Sequence, residues 1–199
     1  MIPDGRSHQD LVPQFAVLLV AAVQMILVGF ANGDRITHAS TPRLSEGQQD
    51  NDKLEARPDV LIFTSAPLAQ DTDVIGPVSA ELYIKSSLEH TDFFVRLCDV
   101  YPDDKSMNVC DGLQRLFPGK PVPQADGISK VTVHLWATAH RFKRGHRIRV
   151  QVSSGAFPRW NRNLGTGESA ATATTMKTAD QQVYHDPEHP AAVILPVMN

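Results

Sequence analysis

Ser153 and Ser154 lie shortly beyond His146, and Asp99 and Asp111 lie upstream of all three. Serine, histidine and a carboxylate are the residue types of nucleophilic acyl transfer, in which the carboxylate orients the imidazole and the imidazole takes the hydroxyl proton. The local pattern argues against that use. A nucleophile elbow needs Gly-x-Ser-x-Gly because its sharp strand-to-helix turn leaves no room for side chains around the serine. The nearest string, Gly167-Glu-Ser-Ala-Ala171, lacks the second glycine and follows no apolar strand. Ser153-Ser154-Gly155 reads instead as hydroxyls that end a strand by bonding its backbone. No catalytic residue is assigned.

His185 and His189 sit four apart with Asp186 and Glu188 between them, the spacing at which a helix would aim two imidazoles at one metal ion. Pro187 and Pro190 break that helix, so the segment reads as a polar turn before a final strand. His140 and His146 flank Lys143-Arg144-Gly145, a hairpin connection. No metal and no cofactor is expected. Cys98 and Cys110 would face each other across a hairpin turning at Asp103-Asp104-Lys105, which allows a bridge, but two buried free thiols are the expected state.

The surface element with the most chemistry is Phe157-Pro-Arg-Trp-Asn-Arg-Asn163. A solvated loop has no reason to carry this much aromatic area together with cations. Two readings stay open: a plug tucked against the body of the domain, or a contact for another domain through Phe157, Arg159, Trp160 and Asn163, since aromatic residues and Arg dominate interface energetics.

Strands must position these side chains. Ala80, Leu82 and Ile84 alternate with polar neighbours; so do Val131, Val133, Leu135 and Ala137, and Ile148, Val150 and Val152. Further short runs separated by Pro- and Gly-containing turns bring the expectation to seven or eight strands with no amphipathic helix between them. Strands without crossover helices pair antiparallel, so an all-β antiparallel sandwich is expected. The 19 Lys and Arg against 22 Asp and Glu give a net charge of −3, with no field to gather nucleic acid.

The composition changes near Gln48. Residues 15–31 are apolar or Gly apart from Gln24, which reads as an apolar helix of about 25 Å, marginal as a membrane span. Residues 1–47 are therefore expected either as a signal or anchor with membrane contact, and so an exported or anchored protein, or as a truncation remnant, and so a cytoplasmic one. Residues 32–56 read as linker, and the folded domain is placed at 48–199.

Several stretches carry a resemblance that periodicity does not. These are Arg57-Pro-Asp-Val-Leu-Ile-Phe-Thr-Ser-Ala-Pro-Leu68, Gly76-Pro-Val78, Thr91-Asp-Phe-Phe-Val-Arg-Leu-Cys-Asp-Val-Tyr-Pro-Asp103 and Asn108-Val-Cys-Asp-Gly112. Later come His140-Arg-Phe-Lys-Arg-Gly-His-Arg-Ile-Arg-Val150, Ser153-Ser-Gly-Ala-Phe-Pro-Arg-Trp-Asn-Arg-Asn163 and His185-Asp-Pro-Glu-His-Pro190. In this order they resemble the C-terminal domain of the cocaine esterase and X-Pro dipeptidyl-peptidase group, the CocE/NonD family, over almost three quarters of the chain. Asp104 departs from the glycine usual there.

The resemblance implies a jelly roll of the galactose-binding type that packs against a separate α/β-hydrolase domain, in cis or in trans, the hydrolase domain carrying a Ser-Asp-His triad for esters, amides or X-Pro peptides. No catalytic residue of that family maps onto this chain. Without its partner domain the exposed contact surface is expected to self-associate. Two other classes stay open: a stand-alone carbohydrate- or ligand-binding module in which outward-facing Trp136 stacks on a sugar ring, and an inactive gene remnant.

Overall fold

The alternation in the sequence is realised as two antiparallel sheets in a computed structural model that describes residues 48–169 and 171–198, with the backbone of strands β1 (Phe15–Leu19) and β2 (Met25–Val28). A single-turn helix, α1 (Asp52–Glu55), precedes β3 (Leu61–Thr64), β4 (Thr72–Ser86), β5 (Thr91–Val100) and β6 (Ser106–Leu116). Then follow β7 (Ser129–Phe142), β8 (Arg147–Ser153), β9 (Asp180–Tyr184) and β10 (Ala192–Met198). One sheet is built on the long β4, which pairs with β7 on one side and with β10 and β9 on the other; β1 continues from β10 and β2 from β9. The second sheet runs β3-β8-β5-β6. Buried residues of both sheets, among them Val74, Leu82, Phe93, Leu97, Leu135, Phe142 and Val152, form one core. Each large apolar side chain in it contributes roughly 1.5–3 kcal/mol by leaving water.

Strand β5 is buried along almost its whole length, on both faces. Phe93, Val95 and Leu97 point into the core, whereas Phe94, Arg96 and Cys98 point outward under two covers. One cover is Asn51–Glu55. Asn51 Nδ2 donates to the Ser106 carbonyl at 2.9 Å while its Oδ1 accepts from Arg96 Nη1 at 2.7 Å. Glu55 accepts hydrogen bonds from Ser106, Arg149 and Gln151. Residues 51–55, which fell in the overlap of the expected linker (32–56) and the expected domain (48–199), belong to the folded body through hydrogen bonds to a sheet face rather than apolar packing. The second cover is the 157–163 loop.

Extended backbone at Phe15–Leu19 and Met25–Val28 stands where an apolar helix was expected, and the rest of 15–31 lies outside the described residues. An apolar run without polar alternation does not separate a helix from a covered strand, and the open edges of β10 and β9 offer hydrogen bonds to a strand. Among the described residues no helix is long and apolar enough to cross a membrane.

Two further expectations are corrected by β-bulges. In β7, Leu135 and Trp136 together face Val78, between the pairs Pro77 with Ala137 and Ser79 with His134. The extra residue flips the alternation. Ala137, expected inward, is exposed, and Phe142 beyond it is fully buried. In the β5–β6 hairpin a shift at Leu97/Cys98 sets Cys110 opposite Leu97 and Cys98 opposite Asn108, so the thiols do not face each other. Both are free. Burial raises each thiol to about 12, helped at Cys110 by Asp111. At the turn of that hairpin Asp104 takes φ 68°, the left-handed conformation for which glycine is the easier residue.

Candidate functional site

Hydroxyl, imidazole and carboxylate are not brought together. Asp99, almost fully buried at the end of β5, accepts hydrogen bonds from His140 Nε2 at 3.0 Å and His146 Nδ1 at 2.8 Å. His140 lies on β7 of the opposite sheet, so the pair bolts one sheet to the other. Ser153 lies opposite Phe94, five residues from Asp99, or about 16 Å along the strand. Its hydroxyl donates to the Gly155 carbonyl at 3.2 Å. Asp111 faces arginines rather than a histidine.

His185 and His189 diverge. His189 lies between Asp126, 2.9 Å from Nε2, and Asp186, 3.0 Å from Nδ1, and touches the rings of Tyr83 and Tyr184. His185 is buried beside a gap of about 30 Å³ lined by Phe63, Leu82 and Val183, and neither of its nitrogens has a hydrogen-bond partner. Among the described residues no three or more His, Cys, Asp or Glu side chains are grouped to hold a metal.

The two imidazoles give opposite pH dependences. The Asp126 hydrogen bond, with Asp186 helping against burial, raises His189 above 6.5; burial lowers His185 below it, against a weaker pull from Asp186. Protonated His189 stabilises the fold fully below pH 6.5, and that contribution is lost as pH rises through its folded pKa. Neutral His185 has the reverse sign: its contribution is present above pH 6.5 and is lost as pH falls toward its lowered folded pKa. In thermal melts across pH 5–8, His189→Gln is expected to flatten the limb above 6.5 and His185→Leu the limb below it. Unchanged limbs would contradict the assignment.

The 157–163 loop is held from beneath at two points. Asp92, 2% exposed, accepts from Arg115 Nε at 2.9 Å, Arg115 Nη2 at 2.8 Å and Asn163 Nδ2 at 2.8 Å. Arg115 Nη2 also donates to the Asn161 carbonyl at 2.9 Å. The Trp160 ring packs on Phe94 with centroids 5.5 Å apart. Trp160 and Asn163 thus turn inward. Phe157 is 57% exposed with the Arg162 guanidinium 4.8 Å over its ring, and the Arg159 guanidinium lies 4.7 Å over the Trp160 ring. One loop presents Phe157 and Arg159 outward on a base made by the other two.

Arg159 closes one side of a cleft of about 210 Å³ that the sequence did not disclose. Its Nη2 lies 3.0 Å from Oδ1 of buried Asp111, at an angle that makes no hydrogen bond, while Oδ2 of the same carboxylate accepts from Arg96 at 3.4 Å. Asn108, Val109, Cys110, Leu135 and Trp136 complete the walls. Trp136 occupies the bulge of β7 at φ 70°, which costs an L residue about 1–2 kcal/mol. The bulge swings its indole outward, 72% exposed. The cleft floor forms where β6 meets β7: a Cβ on Gly112 would stand 1.9 Å from the His134 carbonyl oxygen. Exposed Trp136 was legible as an outward residue; Asn108 and Asp111 were not, because their convergence on it depends on contact between edges of different sheets.

The model of the X-Pro dipeptidyl-peptidase C-terminal non-catalytic domain matches residues 5–194. The chain belongs to that family. Consistent with it, the cocaine esterase of Rhodococcus sp. (strain MB1 Bresler) is 36% identical over 159 residues, covering 76% of this chain and 28% of the esterase. A putative serine esterase of Mycobacterium bovis is 33% identical over 116 residues, covering 47% of this chain and 18% of its own length. Among solved structures, an α-amino acid ester hydrolase superposes with TM-score 0.67 at 30% identity, over 75% of this chain and 27% of that one. An aminopeptidase from a Thaumarchaeota archaeon shares the fold with TM-score 0.71 at 23% identity, over 92% and 34%. The chain thus spans little more than a quarter of the length of the esterase it matches. What it corresponds to is a non-catalytic domain of hydrolases.

Proposed function

We propose that this chain is the accessory β-sandwich, a jelly roll of the galactose-binding type, of a serine hydrolase of the esterase, dipeptidyl-peptidase or acyl-hydrolase kind. It packs against an α/β-hydrolase domain, in cis or in trans, and shapes it. The observation that carries this reading is the 157–163 loop: Asp92 and Phe94 pin it from below, so Phe157 and Arg159 are offered outward at low entropic cost. The non-catalytic family match supports it. The contact is Phe157, Arg159, Trp160 and Asn163, the first two touching the partner and the last two fixing their positions. Left without a partner, the same face self-associates.

A chimera tests this. Residues 48–199 would replace the matching region of the Rhodococcus esterase, and the melting temperature and esterase activity would be followed. Phe157→Ala is expected to leave the isolated chain, kept dilute enough to be monomeric, within about 2 °C, since exposed substitutions move stability by no more than about 0.5 kcal/mol. In the chimera it should lower the melting temperature by several degrees and shorten the activity half-life, because truncating a buried interface anchor costs about 2 kcal/mol or more. Equal effects in the two settings would rule out Phe157 as an interdomain anchor.

A further inference from the structure

Trp136 carries two liabilities that packing does not explain: a large exposed indole and a left-handed backbone that an aromatic residue adopts only under constraint. Bulges that re-aim a side chain in this way concentrate beside binding sites. The indole borders a cavity of about 210 Å³, larger than the roughly 150 Å³ in which a six-membered ring is held in an engineered core. The other walls mix apolar Val109, Cys110 and Leu135 with three polar residues. Asp111, 4% exposed, has an oxygen that accepts no hydrogen bond, Arg159 stands beside it with half its side chain in solvent, and Asn108 adds an amide.

We propose that this cleft binds a pyranose, either a free monosaccharide or the terminal residue of a glycan. The ring's C–H face lies on the Trp136 indole, and its edge hydroxyls accept from Arg159, which the buried Asp111 carboxylate holds in place at 3.0 Å, and pair with the Asn108 amide. Charge selects the class. A free cation meets the Arg159 guanidinium, and a free anion finds that charge already paired with Asp111, whereas neutral hydroxyls accept from the guanidinium without displacing the pair. An aromatic wall with a few convergent polar groups is the general form of a small-ligand site. The inference does not rest on the docking proposal: Arg159 serves both, but in the isolated chain, where the binding is tested, no partner covers it.

Two tryptophans give two indole N–H signals, so the 199-residue chain reports on the site directly in NMR titrations. The probes are methyl pyranosides of glucose, galactose and mannose, and an oligosaccharide ending in each. The Trp136 signal is expected to shift saturably with a Kd of about 0.1–10 mM, the weak range of a single shallow ring site, with Trp160 unmoved. Tighter binding of the oligosaccharide than of its methyl pyranoside would identify a glycan end; equal binding would identify the free sugar. Trp136→Asn, which tolerates the left-handed backbone, should keep the melting temperature and weaken binding by at least about tenfold. Trp136→Phe should retain binding. No saturable shift with any probe up to about 50 mM, or undiminished binding by folded Trp136→Asn, would overturn the proposal.

Discussion

Gly112→Ala is expected to yield no soluble, folded protein. At Gly112 the edge strand β6 of one sheet runs against β7 of the other, and an added Cβ would lie 1.9 Å from the His134 carbonyl oxygen and 2.8 Å from its carbon. Those atoms are backbone, held by the pairing of β7 with β4, and cannot turn aside as a flexible side chain would. Relief requires the two sheets to part along their shared side and uncover the core around Leu135 and Leu116. Such overpacking costs more than about 4 kcal/mol, a large share of the roughly 5–15 kcal/mol that holds a domain folded. Gly155→Ala is the control: nothing lies within 4 Å of its Cβ, and it should be neutral or slightly stabilising. Soluble yield and circular dichroism of the two variants decide the matter; a folded Gly112→Ala protein with wild-type melting behaviour would show that the sheet edges are not in contact.

Asp92→Ala is expected to lower the melting temperature by roughly 10 °C, from a loss of about 3–5 kcal/mol, while leaving the chain folded. The buried carboxylate receives both nitrogens of the Arg115 fork and the Asn163 amide. Removing it strands those donors and frees the base of the 157–163 loop. Hydrogen exchange should rise at residues 159–163 and little elsewhere. Asp73→Ala removes a fork of the same form to Arg141, 2.6 Å at each arm, but at the surface, with Asp73 31% and Arg141 60% exposed, and should lower the melting temperature by no more than about 2–4 °C. Equal effects of the two substitutions would contradict the burial that separates them.

The fold was legible where one face of a strand meets water. Ala80, Leu82 and Ile84 of β4, and Ile148, Val150 and Val152 of β8, face the core in the phase their spacing dictates, because alternation records which side is buried. It failed where a single residue intervenes. The bulge at Leu135 and Trp136 turns Ala137 outward, and the shift at Leu97/Cys98 parts the two cysteines, since the residue types at these positions give no sign of an insertion. The 157–163 loop was recognisable by composition, but which of its residues face outward depends on Asp92 and Phe94, more than sixty positions upstream. The cleft was out of reach for the same reason: Asn108, Asp111, Trp136 and Arg159 meet only after the two sheets close on each other. In the N-terminal segment an unbroken apolar run carries no period, so nothing in it distinguished a helix from the extended backbone of β1 and β2.

On the proposed function, these residues contribute shape and contact surface while bond cleavage belongs to another domain. Intact-mass measurement after incubation with a fluorophosphonate probe tests it most directly, with the Rhodococcus esterase as the labelled reference. An unmodified mass is expected for the purified chain. A stoichiometric adduct on Ser153, Ser154 or any other serine, blocked by prior unfolding, would contradict it.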